Sequence, residues 1–462
     1  MDMPRPTDRS VSLATLLAAL LVVLTTSASA QRRFEILDLG DLNPTPHVGV
    51  PLGINDHGVI TGFSNIAEAI TTEATVWIDG RAQSLGRFPG DDISDAARTN
   101  EIGRTVGTSS WIEYRGHITI FWPTACVFEN GAVTELISLA TSGQNWELLS
   151  CADVNRHGHV IGGGRNLATE TSLAYLFREG ILTELPTLGG SRTSPVAIND
   201  AGVIVGQSWT TGGQNHAFVL QNGVMTDLGT FGGRDSRALD INEAGQIVGW
   251  SQSPSSPTLA TLWQNGQATN LGTLGGNQSH AAAINERGQI VGFSTDAQNH
   301  AHMFFYENGQ MVNPILTLPP SLGFAGRATC SDINEAGQFV GTAYRINRDA
   351  PVVLTPVDLT LSNLVPAIPG QPGTIQVSGL APNARAYFTF SEQAGMTRIP
   401  GCPGAPLLLS GPSLATVVRT DAAGQASITR RIPPGLSGKT VRIQVVERNA
   451  CRVSNVVTVT FP

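Results

Sequence analysis

Charge is scarce in this sequence. Only 14% of its 462 residues are Asp, Glu, Lys or Arg, and lysine occurs once, at Lys439. So little charge cannot coat the solvent faces of many amphipathic helices, and no stretch sustains a 3.6-residue apolar period. Helical-repeat architectures are thereby excluded. The basic residues form no stripe and the formal net charge is −8, so no nucleic acid or anionic membrane surface is expected as a partner. Long apolar runs are also missing. The one apolar stretch, 13–24, follows Arg5 and Arg9 and precedes Ala28-Ser29-Ala30. It is shorter than the roughly 18 residues of a membrane span and reads as a secretory signal peptide over 1–30, cleaved after Ala30. The mature chain is expected outside the cell or in the periplasm, not membrane-spanning, and monomeric. Gln31, not Cys, stands directly after the cut, which argues against a lipid anchor.

Cysteine is sparse as well, with five residues at 126, 151, 330, 402 and 451. An exported protein can hold disulfides, and five thiols cannot all pair within one chain. Cys402 with Cys451 is the first candidate pair and Cys126 with Cys151 the second, which leaves Cys330 free.

What is abundant is glycine, 51 residues, much of it in a recurring pattern. INEAGQIVGWS (241–251) has relatives at 54–64, 99–109, 154–164, 198–208, 284–294 and 333–343. Their asparagines, Asn55, Asn100, Asn155, Asn199, Asn242, Asn285 and Asn334, are 45, 55, 44, 43, 43 and 49 residues apart. Repeats of this length are propeller blades or helix pairs, and the helical option has already gone. A second motif follows each copy, as in HAFVLQNGVMTDLGTFGG (216–233). It carries Asn-Gly or Asp-Gly between apolar runs, at 79–80, 130–131, 222–223, 265–266 and 308–309. These dipeptides accept φ > 0 at both positions and so predict two-residue hairpins. Asn-x-x-Gly predicts a second hairpin, with turn residues Asn55/Gly58, Asn199/Gly202, Asn242/Gly245, Asn285/Gly288 and Asn334/Gly337.

Four short strands per unit is the content of one propeller blade. The last unit lacks its final strand, and the mature N-terminus, RFEILDLGDLNP (32–43), resembles that missing strand. The expected fold is therefore all-β. A seven-bladed β-propeller over 31–355 is closed by the N-terminal strand, because closure removes open sheet edges. After Pro356 the repeats stop and short alternating strands continue to the end, which predicts an Ig-like β-sandwich over 356–462.

The paired motifs, His216-Ala217-Phe218 followed by Asn-x-x-Gly, resemble the HAF-type extracellular repeat family of bacteria over about 33–355. The resemblance implies an exported protein of repeated β units and lends no catalytic residues. His216 begins the one complete His-Ala-Phe triplet.

The repeat frame limits the chemistry its residues can carry. The acid after each Asn (Asp56, Glu101, Asp200, Glu243, Glu286, Glu335) supplies one carboxylate per loop, too few for calcium's six to eight oxygens, and the third copy has Arg156 instead. His300 and His302 share a strand face that suits zinc, but no third ligand is apparent in the sequence. Gly-x-Ser-x-Gly is absent; Ser208 and Ser251 fall at a repeat position. Asp91-Asp92 could serve a glycosidase but lies in a polar loop. No catalytic residue, metal or cofactor is expected. Aromatics just past the repeat glycine, Trp111, Trp209, Trp250 and Phe293, with Phe63, are candidates to stack on an extracellular glycan or protein, set against a packing role. The long second interval, 111–123, breaks the repeat and is where individuality is sought. The function expected is non-catalytic binding or scaffolding, with a secreted hydrolase or lyase using a central pocket as the alternative.

Overall fold

The computed structural model describes residues 33–462 apart from 43–48, 67–70, 143–144, 319–321, 346–347, 358–359, 363, 366, 381–383, 400–401, 422–424, 448–451 and 455. The expected signal peptide therefore lies outside the described residues. So does Cys451, and with it the Cys402–Cys451 pairing.

Apart from short 3-10 turns, every described element is a β-strand. The repeats form small four-stranded antiparallel sheets. The fifth, for example, is built from Ser236–Ile241, Ile247–Ser253, Ser256–Gln264 and Gln267–Asn270 in sequence order. Sheets of this plan occupy 49–86, 93–135, 146–184, 189–227, 236–270 and 275–312. A single parallel bridge, Thr258 to Gln278, links the fifth to the sixth. The seventh sheet takes Phe324–Ile333, Phe339–Arg345 and Arg348–Val357 from the end of the repeats and Arg33–Asp38 from the N-terminus, with Arg33 opposite Val357 and Asp38 opposite Val352. Each sheet packs on the next, and the seventh packs on the first.

Both hairpins of each unit follow from local turn chemistry. Asn222 and Gly223, with φ of 52° and 79°, form the tight turn between Asn215–Gln221 and Val224–Asp227, and Asp79, Asn130, Asn265 and Asn308 behave alike. In the other hairpin the Asn closes its own turn. Asn242 N donates to Gln246 O at 3.1 Å, Gly245 N to Asn242 O at 3.1 Å, and Gln246 N to Asn242 Oδ1 at 2.9 Å. Gly245 sits at φ 75°, where a Cβ would be strained. Gly58, Gly202, Gly288 and Gly337 repeat this geometry at φ 73°, 78°, 70° and 78°, each donating its N–H to the carbonyl of Asn55, Asn199, Asn285 or Asn334 at 2.9–3.0 Å. The centre of this turn is the pair of residues between Asn and Gly, and the glycines end it as its fourth residue. The second repeat glycine serves packing instead. A Cβ on Gly249 would lie 2.0 Å from Arg237 O of the neighbouring strand, so the chains approach only because the side chain is missing.

Asn side chains then join unit to unit. Nδ2 of Asn55 donates to Asn100 O, Asn100 to Asn155 O, Asn155 to Asn199 O, Asn199 to Asn242 O, Asn242 to Asn285 O and Asn285 to Asn334 O, at 2.9–3.2 Å. Asn334 donates to Asn55 O at 3.3 Å, so the series returns to its start. All seven asparagines are buried. The acids beside them form a second series, each carboxylate accepting from the backbone N–H one unit earlier, from Asp56 N to Glu101 Oε1 through to Glu335 N to Asp56 Oδ1. It is interrupted where Arg156 replaces the acid; Arg156 N donates to Asp200 Oδ1 and its guanidinium pairs with Asp200 at 3.1 Å.

The C-terminal region forms separate sheets. Pro372–Ser378 pairs with Ala426–Arg431 and Thr360–Leu361. Arg385–Ser391 lies between Ser413–Arg419 and Thr440–Glu447, and Val457–Thr460 also pairs with the last of these. Ile375 and Val377 of the first sheet share a core with Phe388, Val445 and Val457 of the second. Val456 N donates to Glu35 Oε1 of the N-terminal strand, and burial raises the Glu35 pKa to about 7.

One expectation is corrected. Cys126 and Cys151 are free thiols, as is Cys330. Cys151 Sγ instead lies 3.8 Å from Cys126 O and 3.7 Å from the Tyr175 hydroxyl. Adjacent buried strands can bring two thiols near one another by packing alone, and burial pushes the Cys151 pKa up to about 12, which suits an inert thiol.

Candidate functional site

Two places depart from the repeat, and they differ in kind. The first is the second unit's middle hairpin. Thr105–Arg115 and Ile118–Glu129 run 11 and 12 residues, where the matching strands of the first unit have 6 and 7. Pairing continues from Thr105/Phe128 to Arg115/Ile118 without a register shift, so the extra length forms an arm. Trp111 and Trp122 face each other across it with ring centroids 5.5 Å apart and planes 8° apart. Trp122 Nε1 donates to Glu113 Oε2 at 3.2 Å, and Arg115 Nε donates to Glu113 Oε1 at 2.7 Å. Trp111, Tyr114, Ile118, Phe121 and Trp122 are 41–67% exposed, with Trp111, Ile118 and Trp122 on one face of the arm and Tyr114 and Phe121 on the other.

The base of the arm explains Asp91 and Asp92. Asp91 Oδ2 accepts from Ser109 Oγ at 2.5 Å, and Asp92 Oδ2 accepts from Ile112 N at 2.7 Å. Both carboxylates fasten the arm to its sheet. The neighbouring Asp95 has its pKa raised to about 6, chiefly by burial.

The second place is interior. Asp153, Asp240 and Asp332 stand two residues before a repeat Asn, and each has a split duty. Oδ1 accepts from the following N–H (Val154, Ile241, Ile333) at 2.8–2.9 Å. Oδ2 accepts from the next sheet's Ile198, Ile284 or Ile54 N–H at 2.8–2.9 Å. The receiving sheets carry Ala197, Ala283 and Gly53 at the same repeat position, small enough to admit the carboxylate. Arg98 occupies this position in the second unit. It donates to Leu52 O and lies 3.9 Å from Asp332, and a Cβ on Gly53 would come within 3.1 Å of its Cδ. Burial raises the Asp153 pKa to about 6 and that of Asp240 to about 8, and also raises Asp332. Burial works against the Arg98 charge, but Asp332, Asp153 and Asp240 outweigh it and raise its pKa. Perturbed carboxylates in a group are a feature of active sites. Here their oxygens bind sheet N–H groups, the arrangement of an inter-sheet clamp. The repeated Asp-x-Asn at 153–155, 240–242 and 332–334 is the trace of this clamp in the sequence.

The remaining candidates are dispersed. Trp250 of the fifth sheet stacks on His280 of the sixth with centroids 5.6 Å apart, and Phe293, opposite His280 in the sixth sheet, meets the same imidazole edge-on at 5.3 Å. Trp209 is exposed and lies against Gly190. Phe63 is partly buried within the first sheet. The turn residues divide their work: Gly58, Gly202, Gly245, Gly288 and Gly337 bond only within their own turns, whereas the asparagines they face reach on to the next unit. Neither set presents a side chain free to meet a ligand. Ser208 and Ser251 are buried and accept from Leu188 N and Phe231 N at 3.0 and 2.9 Å, which accounts for their repetition without nucleophilic chemistry. His300 precedes and His302 lies within the third strand of the sixth sheet, where Asp296 supplies a third donor not apparent in the sequence. Among the described residues, no helix is long and apolar enough to cross a membrane.

No family model matches the chain, and no curated protein matches it. Among solved structures, similarity extends to an arginine-to-alanine triple mutant of AofleA from Arthrobotrys oligospora, at 11% identity and TM-score 0.31 over 61% of this chain and 90% of that one. A fungal alcohol oxidase in complex with copper aligns at 11% identity and TM-score 0.29 over 89% of this chain and 85% of that one. Hydrazine synthase of Kuenenia stuttgartiensis aligns at 10% identity and TM-score 0.22, covering 89% and 60%. Likeness at this level carries neither a fold nor an activity to this chain.

Proposed function

We propose that this protein is an exported, non-catalytic binding or scaffold protein that meets an extracellular glycan or protein through its second-unit arm. In this reading 31–355 is a seven-bladed β-propeller of HAF-type repeats closed by the N-terminal strand, and 356–462 is an Ig-like β-sandwich. The returning series of Asn hydrogen bonds and the pairing of Arg33–Asp38 with Arg348–Val357 support the closed ring. The two facing sheets with one shared core support the sandwich. The observation that carries the function is the arm. Trp111 and Trp122 keep their stacked rings in water on one face of a fully paired hairpin, which suits a partner that buries them. The interior acids favour the hydrolase or lyase alternative less, because both oxygens of each are engaged by backbone N–H groups.

A glycan and peptide array with the purified mature protein tests the proposal, beside Trp122→Ala and a hydrolase screen. Trp122 is exposed, so its loss is expected to change stability by less than about 1 kcal/mol while binding weakens at least about tenfold. Reproducible turnover, or binding indifferent to Trp122→Ala, would count against it.

A further inference from the structure

We infer that the sixth repeat unit carries a surface site for a zinc-class divalent transition metal, held by Asp296, His300 and His302. The three side chains come from one hairpin. Asp296 ends the strand Ile290–Asp296, His300 closes the turn, and His302 is the second residue of Ala301–Glu307. Asp296 is fixed before any ligand arrives. Its N–H donates to His300 O at 3.0 Å, and Asn299 N donates to Asp296 O at 2.9 Å, with Asn299 at φ 61°. Its Oδ1 accepts from the backbone N–H of Gln298 and of His300, both at 2.9 Å. That leaves Oδ2 directed at two imidazoles, 2.8 Å from His302 Nε2 and 3.5 Å from His300 Nδ1. One donor atom from each residue lies within 4.8 Å of the other two.

These separations suit one ion. Bonds of about 2.0–2.1 Å at tetrahedral angles place donor atoms roughly 3.4 Å apart. The observed 3.5 Å already fits. The 2.8 Å contact must open by roughly half an ångström when the metal replaces the bridging hydrogen, which a rotation of the imidazole supplies. Two imidazoles and a carboxylate form a borderline donor set, which suits zinc, copper(II) or nickel(II) better than magnesium or calcium. His300 has 70% of its side chain exposed, so an ion has an open approach and water can complete its coordination.

The fourth unit provides an internal contrast. His216 pairs opposite Ser208 as His302 pairs opposite Ser294, so the two histidines are equivalent. The same turn recurs there, with Thr210 N donating to Gln214 O at 2.9 Å, but Thr210 and Gln214 stand where Asp296 and His300 stand. His216 turns instead to Asp227, at 2.8 Å. The shared imidazole thus belongs to the repeat, whereas the added acid and second imidazole belong to the sixth unit.

The test is a zinc titration of the metal-stripped mature protein, followed by calorimetry and by competition with a chromophoric chelator. One zinc per chain is expected, with affinity falling at least about tenfold in His300→Ala and in Asp296→Asn, since loss of even an outer-shell partner costs 10–100-fold. His216→Ala is expected to leave binding unchanged. His300 is exposed and outside the core, so its replacement keeps the fold and a negative result stays interpretable. Failure of the wild-type protein to bind zinc, or retention of full affinity by His300→Ala, overturns the assignment. A loss in His216→Ala equal to that in His300→Ala overturns it as well.

Discussion

Replacement of Asn334 by Ala tests whether the first and last units hold each other. Asn334 Oδ1 accepts from Ala336 N and Gln338 N at 3.1 and 3.0 Å, and its Nδ2 donates to Asn55 O at 3.3 Å and to Gln338 Oε1 at 3.2 Å. Ala removes all four contacts at a residue only 3% exposed. Water can reach Ala336 and Asn55 O keeps the Gly58 N–H, but Gln338 is itself buried, so its backbone N–H and its side-chain carbonyl are stranded. Each stranded group costs about 1–3 kcal/mol, which sums to about 2–6 kcal/mol. Asn242→Ala is the control: its side chain makes the same turn contact with Gln246 N and the same contact onward, to Asn285 O at 3.1 Å, far from the chain ends. Urea denaturation of the two variants is expected to give costs equal within about 1 kcal/mol. A full cost for Asn242→Ala beside less than about 0.5 kcal/mol for Asn334→Ala would refute closure, since the seventh unit's turn would then be open to water and not buried against the first. A small cost for both would refute the burial argument itself.

Two other perturbations probe the interior. A carboxyl with a folded pKa above its unfolded value binds its proton more tightly in the fold, so its stabilising contribution is complete below about pH 4 and is lost as pH rises through the folded pKa. Urea midpoints are therefore expected to fall from pH 5 to pH 8, as Asp153 titrates near 6 and Asp240 near 8; a midpoint that rises across this window would contradict the clamp environment. Gly249→Ala forces a Cβ to 2.0 Å from Arg237 O and 3.0 Å from Ala238 Cα, so a loss of about 3 kcal/mol or an unfolded product is expected by circular dichroism.

Much of the strand plan was legible because turn chemistry is local. Asn222-Gly223 needs only its own φ preferences to make a hairpin, and Gly245 needs only the absence of a Cβ. Asp153, Asp240 and Asp332 recur visibly before the Asn, but what they bond was not legible in that way. Their partners are backbone N–H groups 45, 44 and 278 residues away, and a backbone N–H carries no residue-type signal. The same limit misled the expectation for Cys126 and Cys151, which packing brings close without a bond. Asp296 went unnoticed because it precedes His300 by four residues across a turn, a spacing that only the fold converts into contact.

The sequence by itself determined that the chain is built from short antiparallel hairpins, how many times the unit recurs, and where the repetition stops near Pro356. Those properties depend on backbone sterics and on periodicity, which neighbouring residues encode. Only the tertiary structure decided what each repeated polar residue is for. Asn side chains bond the next unit's turn, serines accept N–H groups, and Trp250 and Phe293 are spent on His280, while Trp111 stays with Trp122 in water. The physical reason is that burial and hydrogen-bond pairing are set by what lies across the interface between sheets, and residues of one type at one repeat position meet different neighbours there.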